Sequence, residues 1–254
     1  MLARRRHDEV VKLLRQDGMV RVSHLASALG VSEMTIRRDL EALAAAGVVE
    51  KFHGGASLVG RPTTEEPGFD VKRTLQTDFK RSIAKHAASR VRPGSSVGLT
   101  AGTTTWMLAQ FLDVRPLTVV TNSISVAEVL YPLASPTLDV VLTGGVRTPS
   151  DALVGPVAVS SLSSLHIDVL FMGVHGMTPR AGFTTPNLLE AETNQAFIRG
   201  AAELVVVADH TKLGVTGLST ICSLSAADSL IINSQLDQNS IDLLRSEIPD
   251  VELV

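Results

Sequence analysis

Cysteine is almost missing from these 254 residues: Cys222 stands alone. That excludes an internal disulfide framework and a cysteine-rich zinc site, and the reducing cytoplasm is the expected compartment. Long apolar runs are missing as well. No stretch of 18 apolar residues occurs, so a membrane span is not expected. The opening Met1-Leu2-Ala3-Arg4-Arg5-Arg6 passes into His7-Asp8-Glu9 rather than an apolar segment, and does not read as a secretory signal. No internal repeat and no low-complexity tract is present. No close His/Asp/Glu spacing marks a metal site, and no cofactor is expected.

Charge of one sign is also scarce. Lys and Arg number 23 against 26 Asp and Glu, a net charge of -3, so the chain is not basic from end to end. The distribution is uneven, however. Residues 1–60 carry nine basic side chains and seven acidic ones, leaving the remaining 194 residues at -5. A positive head on a negative body points to a nucleic-acid or anionic-surface contact confined to the N-terminus. With 44% hydrophobic residues there is ample material for one or two globular domains.

Apolar spacing over residues 8–46 is helical, through Val10, Val11, Leu13 and Leu14, then Leu25, Ala26 and Leu29, then Ile36, Leu40 and Leu43. Three short helices are predicted, punctuated by Gly18 and Gly30, with Ser23 and Ser32 placed as N-caps. Residues 48–52 read as a strand entering a His53-Gly54-Gly55 turn, as in a small hairpin. Residues 57–68 have linker composition. Beyond residue 75 short aliphatic runs (96–99, 117–120, 138–142, 169–172, 204–208, 230–232) alternate with helical stretches. That alternation predicts a mainly parallel sheet with helices on both faces. The expected domains are 1–57, a linker at 58–74, and 75–254.

Winding residues 32–43 at 3.6 per turn puts Ile36, Leu40 and Leu43 on a core-facing stripe. Met34 and Arg38 then point outward, flanked by Thr35 and Arg37. With Ser32 as cap, this is the geometry of a recognition helix entering a DNA groove. An arginine fork reads guanine or holds a phosphate, and the sequence leaves both roles open for Arg37 and Arg38. Residues 25–32 supply the preceding helix and turn of a helix-turn-helix, and Lys51 and His53 fall on a wing. The simpler alternative is a helical dimerisation bundle with solvated arginines; cap, turn, charge and hairpin together favour DNA.

The run Val31-Ser32-Glu33-Met34-Thr35-Ile36-Arg37-Arg38-Asp39-Leu40, followed by Phe52-His53-Gly54-Gly55-Ala56, resembles the signature of the DeoR family of bacterial transcriptional regulators. The similarity continues through Phe69, Lys72-Arg73, Lys80, Ile83-Ala84, Gly102-Thr103-Thr104, Thr121-Asn122-Ser123, Gly144-Gly145, Asp168, Gly182, Asp209 and Lys212. The resemblance implies a winged helix-turn-helix joined to an α/β sensor that resembles ribose-5-phosphate isomerase in fold. It also implies a phosphorylated sugar or polyol as effector. Two departures bear on effector preference: Thr100 stands where many relatives carry an acid, and Asp209-His210-Thr211-Lys212 replaces an Asp-Ser-Ser-Lys pattern.

In an open parallel sheet, ligands sit beyond the carboxyl ends of the strands. The residues there are small, hydroxylic or charged: Gly102, Thr103, Thr104 and Thr105; Asn122; Gly144 and Gly145; His175; and Asp209 with Lys212. Gly102 to Thr105 is the expected phosphate cradle, since glycine admits a ligand to the backbone and a helix start offers free N–H groups. Lys212 supplies a cation, and Asn122 and Asp209 suit sugar hydroxyls. For His175 and His210 the simpler reading is a loop histidine, although His175 is kept among the candidates.

The resulting expectation is a homo-oligomeric repressor of carbohydrate genes that binds operator DNA under sugar-phosphate control, and not an enzyme. The competing reading is a sugar-phosphate isomerase with a DNA-binding head, whose base would be Asp209, His175, Glu190 or Glu192. The Asp-Gly-x-Asp-Glu and Lys-Gly-Gly loops of that isomerase are absent. Fold likeness alone does not imply catalysis. A third reading, an architectural binder without effector, is disfavoured by the polar strand ends.

Overall fold

The structure, a computed structural model, describes residues 3–17, 19–52, 55–58, 63–64 and 68–254. They divide into two units, Met1–Thr63 and Thr64–Val254. In the first, α1 (Ala3–Asp17) is followed by β1 (Met19–Arg21), α2 (Val22–Leu29), α3 (Glu33–Ala45), β2 (Val49–Phe52) and β3 (Gly55–Leu58). The strands form an antiparallel sheet in the order β1-β3-β2. Val10 and Leu14 of α1, Leu25 of α2, Ile36, Leu40 and Leu43 of α3, and Ala56 of β3 close a single small core. Gly30 ends α2 in the left-handed region at φ 64°, a conformation that favours glycine.

Ser32 caps α3 as expected, its hydroxyl accepting the Thr35 N–H at 3.2 Å. Ser23 does not cap α2. The helix starts at Val22 with Arg21 in the cap position, because the preceding residues are drawn into β1, which pairs with β3.

The second unit begins with α4 (Phe69–Thr74) and α5 (Thr77–Ser89), then β4 (Ser96–Leu99), α6 (Thr103–Ala109), β5 (Leu117–Thr121), α7 (Ile124–Leu130), β6 (Leu138–Leu142), β7 (Val146–Arg147) and β8 (Leu153–Val154). It continues with α8 (Pro156–Leu162), β9 (Val169–Gly173), β10 (Gly176–Thr178), β11 (Gly182–Thr185), α9 (Leu188–Gly200), β12 (Leu204–Ala208), β13 (Ser219–Cys222), β14 (Ser229–Ile232), α10 (Gln238–Glu247) and β15 (Asp250–Leu253). Seven parallel strands lie in the order β15-β14-β12-β9-β4-β5-β6. Alternate residues go to opposite faces. Val205, Val207 and Ile231 pack with Ile83 and Ala87 of α5 and Leu108 of α6. Val206, Leu230 and Ile232 pack with Phe197 of α9 and Leu244 of α10 on the other face.

Residues 58–74 read as linker in sequence, yet Phe69–Thr74 is helical and packs within this unit. The Phe69 N–H donates to the Pro149 carbonyl at 3.1 Å, and its ring meets Trp106 edge-on at 5.9 Å. Glycine and proline around these six residues masked the helix.

After β4 the chain builds outward through β5 and β6; from β9 it builds the other way through β12, β14 and β15. The direction of winding therefore reverses between β4 and β9, where an open sheet leaves a crevice at the carboxyl ends.

Candidate DNA-reading surface and effector crevice

On α3 the core stripe is Ile36, Leu40 and Leu43, while Ser32, Met34, Arg37 and Arg38 are exposed and Thr35 is half-buried. Met34 is 61% exposed, an apolar side chain placed to meet a base methyl group. Arg37 lies 3.5 Å from Glu33, one turn back. Arg38 has no ion-pair partner among the described residues. Lys51 on β2 is exposed and 3.5 Å from Glu41. These surface pairs are weak and yield readily to phosphate. His53 lies outside the described residues.

Sequence reasoning missed the buried counterpart of this surface. Asp39 accepts from Arg6 Nε at 2.5 Å and Nη2 at 2.9 Å, and lies 3.0 Å from His7 Nε2. Burial pushes the Asp39 carboxyl up, but the hydrogen bonds and charges of Arg6 and His7 outweigh it and hold the group below the usual carboxylate range. Arg6, counted among the basic head, thus joins α1 to α3. The signal was available: Asp39 shares the Ile36–Leu43 stripe, where a charged residue requires a partner.

The crevice lies where the winding reverses. Gly102, Thr103 and Thr104 at the start of α6 line it, as do Gly173 at the end of β9, His175 just beyond it and Lys212 after β12. Five other candidates are not among the residues that line it. Thr105 is buried, its hydroxyl donating to the carbonyls of Thr100 and Gly102. Asn122 accepts the Ala101 N–H at 2.9 Å and donates to the Leu153 carbonyl. Thr100 accepts the Gly173 N–H at 3.1 Å, so the turn is fixed from both neighbouring strands. Gly144 and Gly145 serve the bend before β7; at Gly145, φ is 121° and a Cβ would stand 2.5 Å from the Val154 carbonyl oxygen. Asp209 is buried and caps the turn through Thr211. His210 is engaged by Asn233 and by the ring of Phe79.

In their place the fold brings Lys72, Lys80, Ser150, Thr185, Glu190 and Asn194 to the crevice. Lys80 is 3% exposed, and its Nζ donates to the carbonyls of Lys72 at 2.6 Å and Leu75 at 2.7 Å. Burial, and then the charges of Lys212 and Lys72, lower its ammonium to about 8 against a partial pull upward from Asp209. Asp209 shows the converse. Burial alone raises its carboxyl, but Lys212, the Thr211 hydroxyl and Lys80 bring it below the ordinary range. A buried carboxylate thus underlies clustered ammonium groups, with Lys72 Nζ 2.6 Å from Ser150 Oγ. On α5, Lys80 shares the stripe of Ile83, Ala84 and Ala87, and a lysine on an apolar stripe is the sequence signal for a buried function.

A winged helix-turn-helix joined to an α/β unit with a lysine-lined crevice defines a class of DNA-binding regulator. Two family models match: a DeoR-like helix-turn-helix domain over residues 6–61 and a DeoR C terminal sensor domain over residues 75–234. The chain belongs to the DeoR family and is a DNA-binding transcriptional regulator. It is 35% identical over 251 residues to the HTH-type transcriptional regulator GlpR of Haloferax volcanii, covering 97% of this chain and 96% of that one. It is 31% identical over 248 residues to the lactose phosphotransferase system repressor of Staphylococcus aureus, covering 97% and 98%. A solved ribose 5-phosphate isomerase from Methanocaldococcus jannaschii overlays 54% of each chain at 17% identity and a TM-score of 0.40. Nothing about chemistry follows from so partial an overlay.

Among the described residues no helix is long and apolar enough to cross a membrane.

Proposed function

We propose that this regulator represses carbohydrate-metabolism genes and that a phosphorylated sugar or polyol, bound in the crevice, controls its grip on operator DNA. The observation that carries the reading is the convergence of Lys72, Lys80 and Lys212 on the turn that starts α6. Three ammonium groups lining one crevice, that of Lys80 buried, repel one another, and a phosphate dianion relieves that repulsion. The first N–H groups of α6 have no partner within the helix and add donors. One relative is named as the repressor of a lactose phosphotransferase system, which supports the sugar assignment. Ser32, Met34, Thr35, Arg37, Arg38, Lys51 and His53 make the DNA contacts.

Regulation, not catalysis, is the role assigned to the crevice. Of the four candidate bases, Glu192 is exposed and Asp209 is committed to Thr211. The protein acts in the cytoplasm as a homo-oligomer, since paired recognition helices read half-sites spaced about 34 Å or a multiple apart. Full switching requires the effector to prefer one state by about 5.5 kcal/mol. The test is a thermal-melt panel of sugar phosphates on the full chain, with and without DNA from upstream of the gene. A ligand at a hundredfold excess over its Kd adds about 2.7 kcal/mol. If no phosphate ester stabilises the protein or releases the DNA, the reading is wrong.

A further inference from the structure

Asn194 has a feature that anion binding leaves unused. The residue is 8% exposed and lines the crevice, yet among the described residues its carboxamide has no hydrogen-bond partner. No fully enclosed side-chain nitrogen or oxygen there lacks a partner, so the amide faces the crevice space. A carboxamide offers two donors and an acceptor, and one turned to the crevice without a protein partner is free to pair with what enters it. One turn earlier on α9, Glu190 lines the same space. Its oxygens accept the hydroxyls of Thr148 at 2.5 Å and Thr185 at 3.2 Å, which fixes the carboxylate rigidly. The two stand on a helix packed on one face of the sheet, whereas Lys80 stands on α5, packed on the other.

We propose that Glu190 and Asn194 form a hydroxyl-reading subsite that restricts the effector to monophosphates of polyhydroxy compounds. The inference rests on the phosphate reading of the three lysines. Their charge is already partly offset by buried Asp209, so one phosphate dianion is accommodated. A second phosphoryl group would bring about two more negative charges against the Glu190 carboxylate. Hydroxyl groups suit that carboxylate and the amide as hydrogen-bond partners, and an amide placed to pair with a ligand hydroxyl discriminates against ligands that lack it.

The experiment uses the full chain and measures binding by calorimetry and thermal melts. Its probes are inorganic phosphate, a panel of pentose, hexose and polyol monophosphates, and the matching bisphosphates. In the unaltered protein the best monophosphate should bind at least tenfold more tightly than its bisphosphate and than inorganic phosphate. Asn194→Leu should leave the ligand-free melting temperature unlowered and inorganic phosphate binding unchanged, while weakening the monophosphate about tenfold. Glu190→Gln should narrow the preference for monophosphate over bisphosphate. Equal binding of the two esters, or an Asn194→Leu protein that binds the monophosphate normally, overturns the proposal. If Asn194→Leu fails to fold, the mono-to-bisphosphate ratio in the unaltered protein and in Glu190→Gln decides. If no probe binds, inorganic phosphate included, the lysine site itself fails and this subsite with it; if inorganic phosphate binds as well as every ester, only the subsite fails.

Discussion

The two units place their working side chains in opposite ways. On α3 the candidate DNA contacts face solvent and the stabilising residues face inward, so recognition and stability fall to different residues of one helix. In the crevice several working groups are themselves buried, Lys80, Glu190 and Asn194 among them, and Lys80 both faces the ligand space and fastens the carbonyls of Lys72 and Leu75. A surface reader is therefore easily altered without unfolding, whereas a buried sensor is not.

The sharpest way to break this contrast is Ile36→Ala, which empties a fully buried position. Such a truncation costs about 2–5 kcal/mol, most of the margin of a unit of this size. Calorimetry should show the first unit melting early, with DNA binding lost and the effector-induced shift of the second unit retained. Joint loss of both would show that the units are not separable.

Next in size is the pair Arg37→Ala and Arg38→Ala. A base-reading contact is worth about 1–3 kcal/mol, so operator affinity should fall ten- to a hundredfold or more in titrations, with little change in melting temperature. Lys212→Ala should do the reverse, abolishing effector-dependent release while leaving ligand-free DNA affinity intact.

A smaller effect concerns pH. With its ammonium at about 8 instead of the ordinary 10.5, Lys80 is charged below that point and loses its proton above it. Effector affinity should therefore decline as pH rises from about 7.5 to 9. Between the two values the unfolded chain holds the proton more tightly, so this group's contribution to stability rises with pH. Lys80→Gln should flatten the binding profile near pH 8. The smallest change is Lys51→Ala, expected to reduce the salt slope of DNA binding by about one.

The same contrast governs what could be read without coordinates. Helical periodicity assigns each residue a face, so α3 and its outward arginines were legible, as were six of the seven parallel strands and the location of the crevice at their carboxyl ends. The strand ends misled where a polar residue serves the backbone: Asn122 and Thr105 brace the Gly102 turn, and Gly145 answers a close approach of Val154. Crevice residues come from segments far apart in sequence, so Ser150 and Asn194 have no local signature. Lys80 and Asp39 do have one, a charge on an apolar stripe. The edge strand β15, Asp-Val-Glu-Leu, and the antiparallel β10, β11 and β13, built largely of glycine, serine and threonine, lack the aliphatic run that marks the other strands.

The crowded ammonium groups and the unmet amide also carry an evolutionary consequence. Selection for heat tolerance alone, in cells that never encounter the inducer, favours an apolar replacement at position 194, whereas Lys80 is retained because it holds the carbonyls of Lys72 and Leu75. Such lineages would become sturdier and deaf to the metabolite together.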